Sequence, residues 1–286
     1  MTQSRFHPWL LLTPALLALA MFVIAPVAIV FAYSFFEFLG AGSERAAFQF
    51  GNWAEVFSDP FYLSGLWKTV RIALIATVAS VLFGYVPAYF LATTRSRHRN
   101  LLLMLLIVPF WISFIIRTMS WIHVLGTNGA LNEALQALGI IDEPLQMLYG
   151  EAAVVLGLVH FTLPYVILNI YVSLEGIDRN LVEAARSLGA SKWSAFLQVV
   201  LPLSLPGLST GILLCFVLVS GAFITPLILG GPQDFLFGNL VYDTIMSELN
   251  LPLGAALACV LLLFLGMFVF VFNRFVGLNQ LYKSFR

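Results

Sequence analysis

The feature that most constrains this chain is a series of six long apolar runs, each separated from the next by a more polar segment. A helix that crosses a bilayer needs about 20 consecutive, mostly apolar residues, and every run reaches that length. Hydrophobic residues make up 60% of the 286 residues and charged residues only 10%, well below the charged share of a soluble domain. The sequence therefore predicts an all-α membrane protein with six transmembrane helices, at 10–35, 70–91, 101–124, 152–174, 208–229 and 253–275.

The distribution of lysine and arginine predicts the orientation of these helices. If both termini are cytoplasmic, ten of the 14 basic residues fall in cytoplasmic segments, as expected from the excess of Lys and Arg in cytoplasmic loops. These ten are Arg5, Arg95, Arg97, Arg99, Arg179, Arg186, Lys192, Arg274, Lys283 and Arg286. The formal net charge is zero, so nucleic-acid binding has no electrostatic support.

Acidic residues follow the opposite distribution. In the predicted topology, 11 of the 14 acidic residues lie in outer segments, including Asp243 and Glu248 near the start of the last run. Two interpretations are equally open: the summed field of these acids concentrates a cationic substrate at the outer mouth, or the acids only keep the outer loops soluble.

The segment between the fourth and fifth runs, residues 181–208, is amphipathic. Its first half predicts a short helix with one apolar and one charged face, Asp178 as its N-cap and Gly189 as the left-handed residue that ends it. Ser191 is predicted to cap a second helix, which Pro202 and Pro206 are expected to end. Two short helices that meet at a glycine suit docking into a groove of another protein.

This segment resembles the EAA loop of ABC-importer permease subunits. The family pattern is Glu-Ala-Ala, three residues, Gly, nine residues, Ile, one residue and Leu-Pro. The matching residues here are Glu183, Ala184, Ala185, Gly189, Val199, Leu201 and Pro202, and Val199 in place of Ile is the one departure. An ordinary amphipathic loop would have to meet all of these fixed positions by coincidence.

The resemblance implies a type I ABC-importer permease fold in the bacterial inner membrane, with partners of defined kinds. Residues 1–66 would form the first helix and an outer loop, 67–276 a five-helix permease core with the coupling loop 178–208, and 277–286 a cytoplasmic tail. The implied partners are a second, homologous permease, an ATPase dimer, an extracytoplasmic substrate-binding protein and membrane lipid. Residues implied to couple to the ATPase are Glu183, Ala184, Ala185, Gly189, Leu201 and Pro202.

Neither a catalytic centre nor a cofactor is predicted for the chain itself. No G-x-x-x-x-G-K-[ST] loop occurs in the sequence, so ATP and Mg²⁺ are expected on the partner ATPase. The two cysteines have no neighbouring Cys or His at ligand spacing, and no metal site is predicted.

Polar and aromatic residues within or beside the runs are candidates for the substrate path, because such groups at membrane depth are often functional. They are Trp111, Arg117, Thr118, Trp121, His160, Tyr165 and, on the outer side, Asp243. Alternatives remain open: Arg117 and Arg71 extend to the outer interface, His160 bonds to a neighbouring helix, and the aromatic residues serve packing or the interfacial belt.

Two further stretches, 109–132 and 221–231, together with the residues that follow the second, resemble the spermidine/putrescine permeases, and opine-type uptake permeases are similar in the same places. The resemblance implies a polyamine or another small cationic or opine-like solute as substrate. The alternative is a secondary transporter that works alone on an ion gradient, but such proteins tend to carry internal repeats and broken helices with ion ligands at the midplane. A lipid-modifying membrane enzyme would need a nucleophile or metal constellation, for which His160 has no partner in the local sequence.

Overall fold

The predicted all-α membrane architecture is confirmed by the computed structural model, which describes residues 8–40 and 42–276. Within that part of the chain, five helices are long and apolar enough to cross a membrane, and a sixth span results when one sharply bent helix pair is counted as one. Arg5, Lys283, Arg286 and the predicted tail 277–286 lie outside the described residues.

Fourteen α-helices and one short hairpin make up the described chain. The helices are α1 (Pro8–Leu19), α2 (Ala25–Tyr33), α3 (Gly51–Ser58), α4 (Pro60–Thr93), α5 (Arg99–Trp111), α6 (Phe114–Leu125), α7 (Ala130–Ala137), α8 (Glu151–Glu175), α9 (Arg179–Ser187), α10 (Lys192–Ala195), α11 (Leu201–Ser220), α12 (Ile224–Leu229), α13 (Phe237–Met246) and α14 (Leu251–Val276). Short π-helical segments, Ala20–Ile24 and Phe196–Val200, join α1 to α2 and α10 to α11. The strands β1 (Glu37–Gly40) and β2 (Ser43–Arg45) pair antiparallel.

The described residues divide into two compact units, and the first comprises residues 8–40, 42–63 and 240–263. In this unit the run from α1 to α2 is apolar all round and is exposed over its spanning window, as expected for a helix that faces lipid. At its end, Asn52 of α3 donates to the carbonyl oxygens of Ser34 and Phe36, both at 2.9 Å. Trp53 Nε1 donates to Ser34 Oγ at 3.0 Å, so α3 is fixed against the end of α2.

Among the described residues, the second unit comprises 64–239 and 264–276, and its core lies where α4, α8 and α11 meet. The α8 and α11 helices make the most extensive helix contact in the described chain. Small residues permit this approach: a Cβ on Gly207 would overlap the carbonyl oxygen of Asn169 and the side chain of Ser173. Ser80 of α4 and Thr162 of α8 share a hydrogen bond of 2.8 Å across the core.

The predicted third span, 101–124, is not one continuous helix. It is broken at Ile112 and Ser113 into α5 and α6, and the chain bends by 95° there. The break follows Pro109 by three residues, and polar contacts described below hold the two arms in place.

The predicted fifth span, 208–229, is also wrong at both ends. Pro202 and Pro206 were expected to end the preceding helix, but α10, the π segment and α11 form one run, Lys192–Ser220. The amide of Leu201 bonds to the Phe196 carbonyl five residues back, so wider π turns precede the prolines, which lack an N–H. The C-terminal part of the predicted span is the separate helix α12, which begins after a break at Gly221–Phe223.

Candidate functional site

The α9 helix and the turn that follows it form the first candidate region, and their local structure is as the sequence predicts. Asp178 caps α9, because its Oδ1 accepts the Asn180 amide at 2.9 Å. Gly189 has φ +93°, and the amides of Gly189 and Ala190 donate to the carbonyls of Arg186 and Ala185. This pair of bonds is the Schellman motif, which closes a helix with a left-handed residue. Ser191 caps α10 by accepting the Ser194 amide at 3.1 Å.

The outward face of α9 is uncovered in this chain. Leu188 is 89% exposed and Leu181 49% exposed. Glu183 and Ala184 are exposed, Ala185 is half-buried, and Gly189 is exposed. We call the face formed by Leu181, Glu183, Ala184, Ala185, Leu188 and Gly189 the α9 surface. An apolar and acidic surface of this kind has the composition of a contact site for another protein.

The inner side of the segment is anchored to the core by aromatic and aliphatic contacts. Phe196 packs edge-on against Tyr85 and Tyr89 of α4, with ring centroids 5.7 and 5.6 Å apart. Val182 of α9 also packs against this core. Trp193, by contrast, is 68% exposed, so the second helix buries only part of its apolar surface.

A continuous helical path leads from this segment into the core. Leu201 is half-buried and Pro202 exposed at the start of α11, within the uninterrupted run Lys192–Ser220. One turn further on, Ser204 Oγ and the Tyr85 hydroxyl share a hydrogen bond of 2.9 Å. The Gly207 approach to Asn169 of α8 follows. One helical run therefore joins the turn after α9 to the contact between α8 and α11.

The break between α5 and α6 is the second candidate region, and it brings several of the predicted path residues together. Arg117 Nη1 donates to the Pro109 carbonyl oxygen at 3.1 Å, and its guanidinium carbon lies 5.9 Å from the centre of the Phe161 ring. Trp121 Nε1 donates to His160 Nδ1 at 3.0 Å. Arg117 thus ties the two arms of the bend together, and Trp121 ties α6 to α8.

Aromatic rings complete this cluster. Tyr165 lies edge-on to Phe110 and Phe161, at centroid distances of 4.7 and 5.7 Å. Thr118 is buried and bonds to the Phe114 carbonyl at 2.9 Å. We call Arg117, Thr118, Trp121, His160 and Tyr165, with Phe110 and Phe161, the bend cluster.

Two of the predicted path residues take no part in the contacts just described. Trp111 is 86% exposed at the end of α5 and has no ring contact with the described residues. Asp243 is exposed on α13, in the first unit.

These contacts bear on the alternative roles considered for Arg117, His160 and Arg71. Arg117 donates to Pro109, and His160 bonds to a neighbouring helix, as one alternative held. Arg71 forms an ion pair with Glu151 at the start of α8. Sequence reasoning missed Tyr85, Ser204 and Phe196 as connections, although Gly207 between Pro206 and Leu208 was a visible signal of close helix packing.

This fold, with six apolar spans and an exposed helical loop joined to them, is that of a multi-pass membrane permease. The chain belongs to the family described as binding-protein-dependent transport system inner membrane component, which residues 80–279 match. It is therefore a permease subunit of an ABC importer of the inner membrane, as the EAA pattern predicts, and the secondary-transporter alternative has no support.

Similar proteins agree with this assignment. The chain is 37% identical over 256 residues to the spermidine/putrescine transport system permease protein PotB of Escherichia coli (strain K12), covering 90% of this chain and 93% of that protein. A bacterial ABC transporter involved in the import of the acidic polysaccharide alginate has the same fold, with a TM-score of 0.76, 14% identity and coverage of 95% of both chains. A second structure of an alginate ABC transporter, in complex with an alginate pentasaccharide-bound periplasmic protein, gives a TM-score of 0.74 at 14% identity, covering 96% of this chain and 94% of that one.

Proposed function

We propose that this chain forms half of the transmembrane path of an ATP-driven importer for polyamines or a similar small cationic solute. The observation that carries the proposal is the exposed α9 surface, which a short turn connects to the helical run Lys192–Ser220 and so to the contact between α8 and α11. A chain of this kind receives mechanical work from a partner, since its own sequence lacks a phosphate-binding loop.

The partner at the α9 surface is an ATPase dimer that carries ATP and Mg²⁺. Glu183 is exposed and has no ion pair among the described residues, so its carboxylate is available to a basic group of the ATPase. Leu181, Ala184 and Leu188 supply apolar contact with the ATPase, and Gly189 makes the turn that directs α10 away from it. Nucleotide-driven closure of the ATPase then moves α9, and Leu201 and Pro202 pass the movement into α11.

A second permease and an extracytoplasmic binding protein complete the assembly. One six-span chain lines only part of a path, so a homologous partner supplies the other half. The periplasmic protein in the alginate transporter complex supports delivery of solute from the outer side. The concentration of basic residues in the loops around α9 supports an orientation with both termini in the cytoplasm.

The polyamine assignment rests on the relationship to PotB and on the chemistry of the path. Trp121 and Tyr165 of the bend cluster offer aromatic faces of the kind that attract ammonium groups. Arg117 is held by Pro109 and carries a positive charge, so we assign it to positioning the bend rather than to contact with a cationic solute. His160, already bonded to Trp121, has the same positioning role.

Affinity purification from the native membrane, followed by ATPase assay, tests the proposal. An ATPase and a second permease are expected to co-purify, and spermidine or putrescine with the binding protein should raise ATP turnover. Glu183→Lys should abolish this stimulation, whereas Glu133→Lys on exposed α7 should not. Stimulation by some other solute would refute the polyamine assignment alone; a chain that purifies alone and still transports would refute the whole proposal.

Electrostatic steering by the outer acids is a separate part of the proposal. Asp243 is exposed, so its field is screened within about 10 Å at moderate salt. Asp243→Asn should therefore lower the rate of uptake at low ionic strength more than at high ionic strength. An unchanged salt dependence would leave the acids as solubilising groups only.

A further inference from the structure

A cavity of about 300 Å³ opens in the second unit, where α4 and α8 end beside α9. Its charged lining comes from three places: Arg95 in the loop after α4, Glu175 at the end of α8, and Arg179, Glu183 and Arg186 on α9. Ala92, Leu174, Val182 and Val200 supply an apolar wall. The orientation predicted from the basic residues places Arg95, Arg179 and Arg186 on the cytoplasmic side but does not require that they line one cavity.

The lining carries an excess of positive charge. Glu175 is paired with Arg99, which is not part of the lining and also donates to the Tyr171 hydroxyl at 2.6 Å. Arg95 and Arg186 form no ion pair with any other residue in the described ranges. Arg179 donates to the Ala92 carbonyl oxygen at 3.4 Å and has no carboxylate partner there either. Glu183 is thus the one lining carboxylate whose charge is not already balanced.

We propose that this cavity binds a phosphate group, either from an anionic lipid headgroup or from a free phosphate compound. Arginine is the residue best suited to phosphate, since its planar fork makes two parallel hydrogen bonds to the oxygens. The volume is at the lower end of the range for small-molecule sites and suits a headgroup or a small phosphate compound. The apolar wall is placed to receive the glycerol and first acyl carbons of a lipid.

Binding there would join two segments that otherwise touch lightly. Arg95 follows α4, whereas Arg179 and Arg186 lie at the two ends of α9, so one phosphate between them holds α9 against the end of α4. This consequence rests on the proposed function, in which α9 is the cytoplasmic coupling helix. The anion would then influence how firmly α9 is held while the ATPase moves it.

Native mass spectrometry of the purified full chain in detergent tests the site directly. Phosphatidylglycerol, phosphatidylcholine and inorganic phosphate are titrated separately into the wild type, Arg95→Gln and Arg97→Gln. Arg97 is the matched control, since it lies in the same exposed loop but does not line the cavity. Loss of one guanidinium should weaken binding of the anion about fivefold in Arg95→Gln and leave it nearly unchanged in Arg97→Gln. Arg186→Gln provides a second cavity variant should Arg95→Gln fail to accumulate.

The possible outcomes distinguish a lipid headgroup from a free phosphate compound, and each from a result that contradicts the proposal. Selective binding of phosphatidylglycerol identifies a lipid headgroup, and binding or competition by inorganic phosphate identifies a free phosphate compound. Equal binding by Arg95→Gln and Arg97→Gln overturns the proposal, and so does equal binding of phosphatidylcholine and phosphatidylglycerol by the wild type when inorganic phosphate neither binds nor competes. Because the titration needs only the isolated chain, its result does not depend on whether an ATPase co-purifies, which is the separate test of the proposed function.

Discussion

Two short helices of the second unit, α7 and α9, end in the same way but differ in how firmly the rest of the chain holds them. After α7, Gly139 has φ +66°, and the amides of Gly139 and Ile140 donate to the carbonyls of Gln136 and Leu135. The bonds at Gly189 and Ala190 after α9 repeat this arrangement. A leucine precedes the glycine in both, and Leu138 and Leu188 are both strongly exposed, at 73% and 89%.

The difference lies in what holds each helix to its own chain. Asn132 of α7 is fully buried; its Nδ2 donates to the carbonyls of Gly126 and Leu145, and its Oδ1 accepts the Leu145 amide, all at 2.9 to 3.0 Å. No residue of α9 is buried. The same local bonds thus end a helix that is fastened to its own fold and another whose outer face is exposed.

The largest expected effect on stability comes from removing the fastening of α7. Asn132→Ala deletes the three hydrogen bonds of a buried side chain and leaves the Leu145 amide and carbonyl without that partner, so we expect the free energy of unfolding to fall by about 3 kcal/mol. Asn180→Ala on exposed α9 is the matched control and should change it by less than about 0.5 kcal/mol. Thermal unfolding in detergent measures both; equal losses would mean that α9 is fastened as firmly as α7.

Substitution of the two glycines should have an intermediate effect on stability and should impair transport only at the turn after α9. Gly139→Asp and Gly189→Asp each place a side chain at positive φ, in open space, at a cost of about 1 kcal/mol. Both variants should insert into the membrane. Only Gly189→Asp should abolish ATP-driven uptake, measured with labelled solute in vesicles, because the turn at Gly189 belongs to the proposed ATPase contact. Normal uptake by this variant would count against the role of α9.

The exposed leucines should give the smallest effect on stability. Leu138→Ser and Leu188→Ser remove side chains that bury little surface, so unfolding temperatures should remain within error of the wild type. Leu188→Ser alone should weaken association with the ATPase, by about 1–2 kcal/mol if Leu188 fills a pocket of the partner. A pull-down titration of the ATPase with each variant compares them, and indistinguishable affinities would remove Leu188 from the contact.

The local structure around α9 was predictable because it depends on bonds between near neighbours. The cap at Asp178, the left-handed Gly189 and the cap at Ser191 each involve partners within five residues, so residue type and spacing suffice to encode them. The spans at 152–174 and 253–275 were predictable for a similar reason, since length and apolarity define them, and the structure has α8 and α14 there.

The breaks were not predictable from local sequence because distant groups hold them. The bend after α5 depends on Arg117 reaching back eight residues to Pro109 and on Trp121 reaching His160 on another helix. The break before α12 is held from 16 residues away, because Asn239 Nδ2 donates to the Phe223 carbonyl oxygen at 2.7 Å. Local sequence also predicts that the helix ends at Pro202 and Pro206, whereas the preceding π turns and the packing of α11 allow the helix to continue past them.

In the run Lys192–Ser220, the number of residues matters as much as their identity. Its 29 residues rise about 44 Å at 1.5 Å each, and every added or deleted residue turns all that follows by about 100°. An insertion between Ser191 and Gly207 would rotate the residues before it relative to Gly207, which is held against Asn169 of α8. The π turns Phe196–Val200 already contain one departure from the ordinary helical repeat, which sets the present angle between the two ends. Length variation should therefore be rejected within this run and better tolerated at exposed loop positions such as Glu143 and Pro144, and a scan of single-residue insertions scored for uptake would reveal that asymmetry.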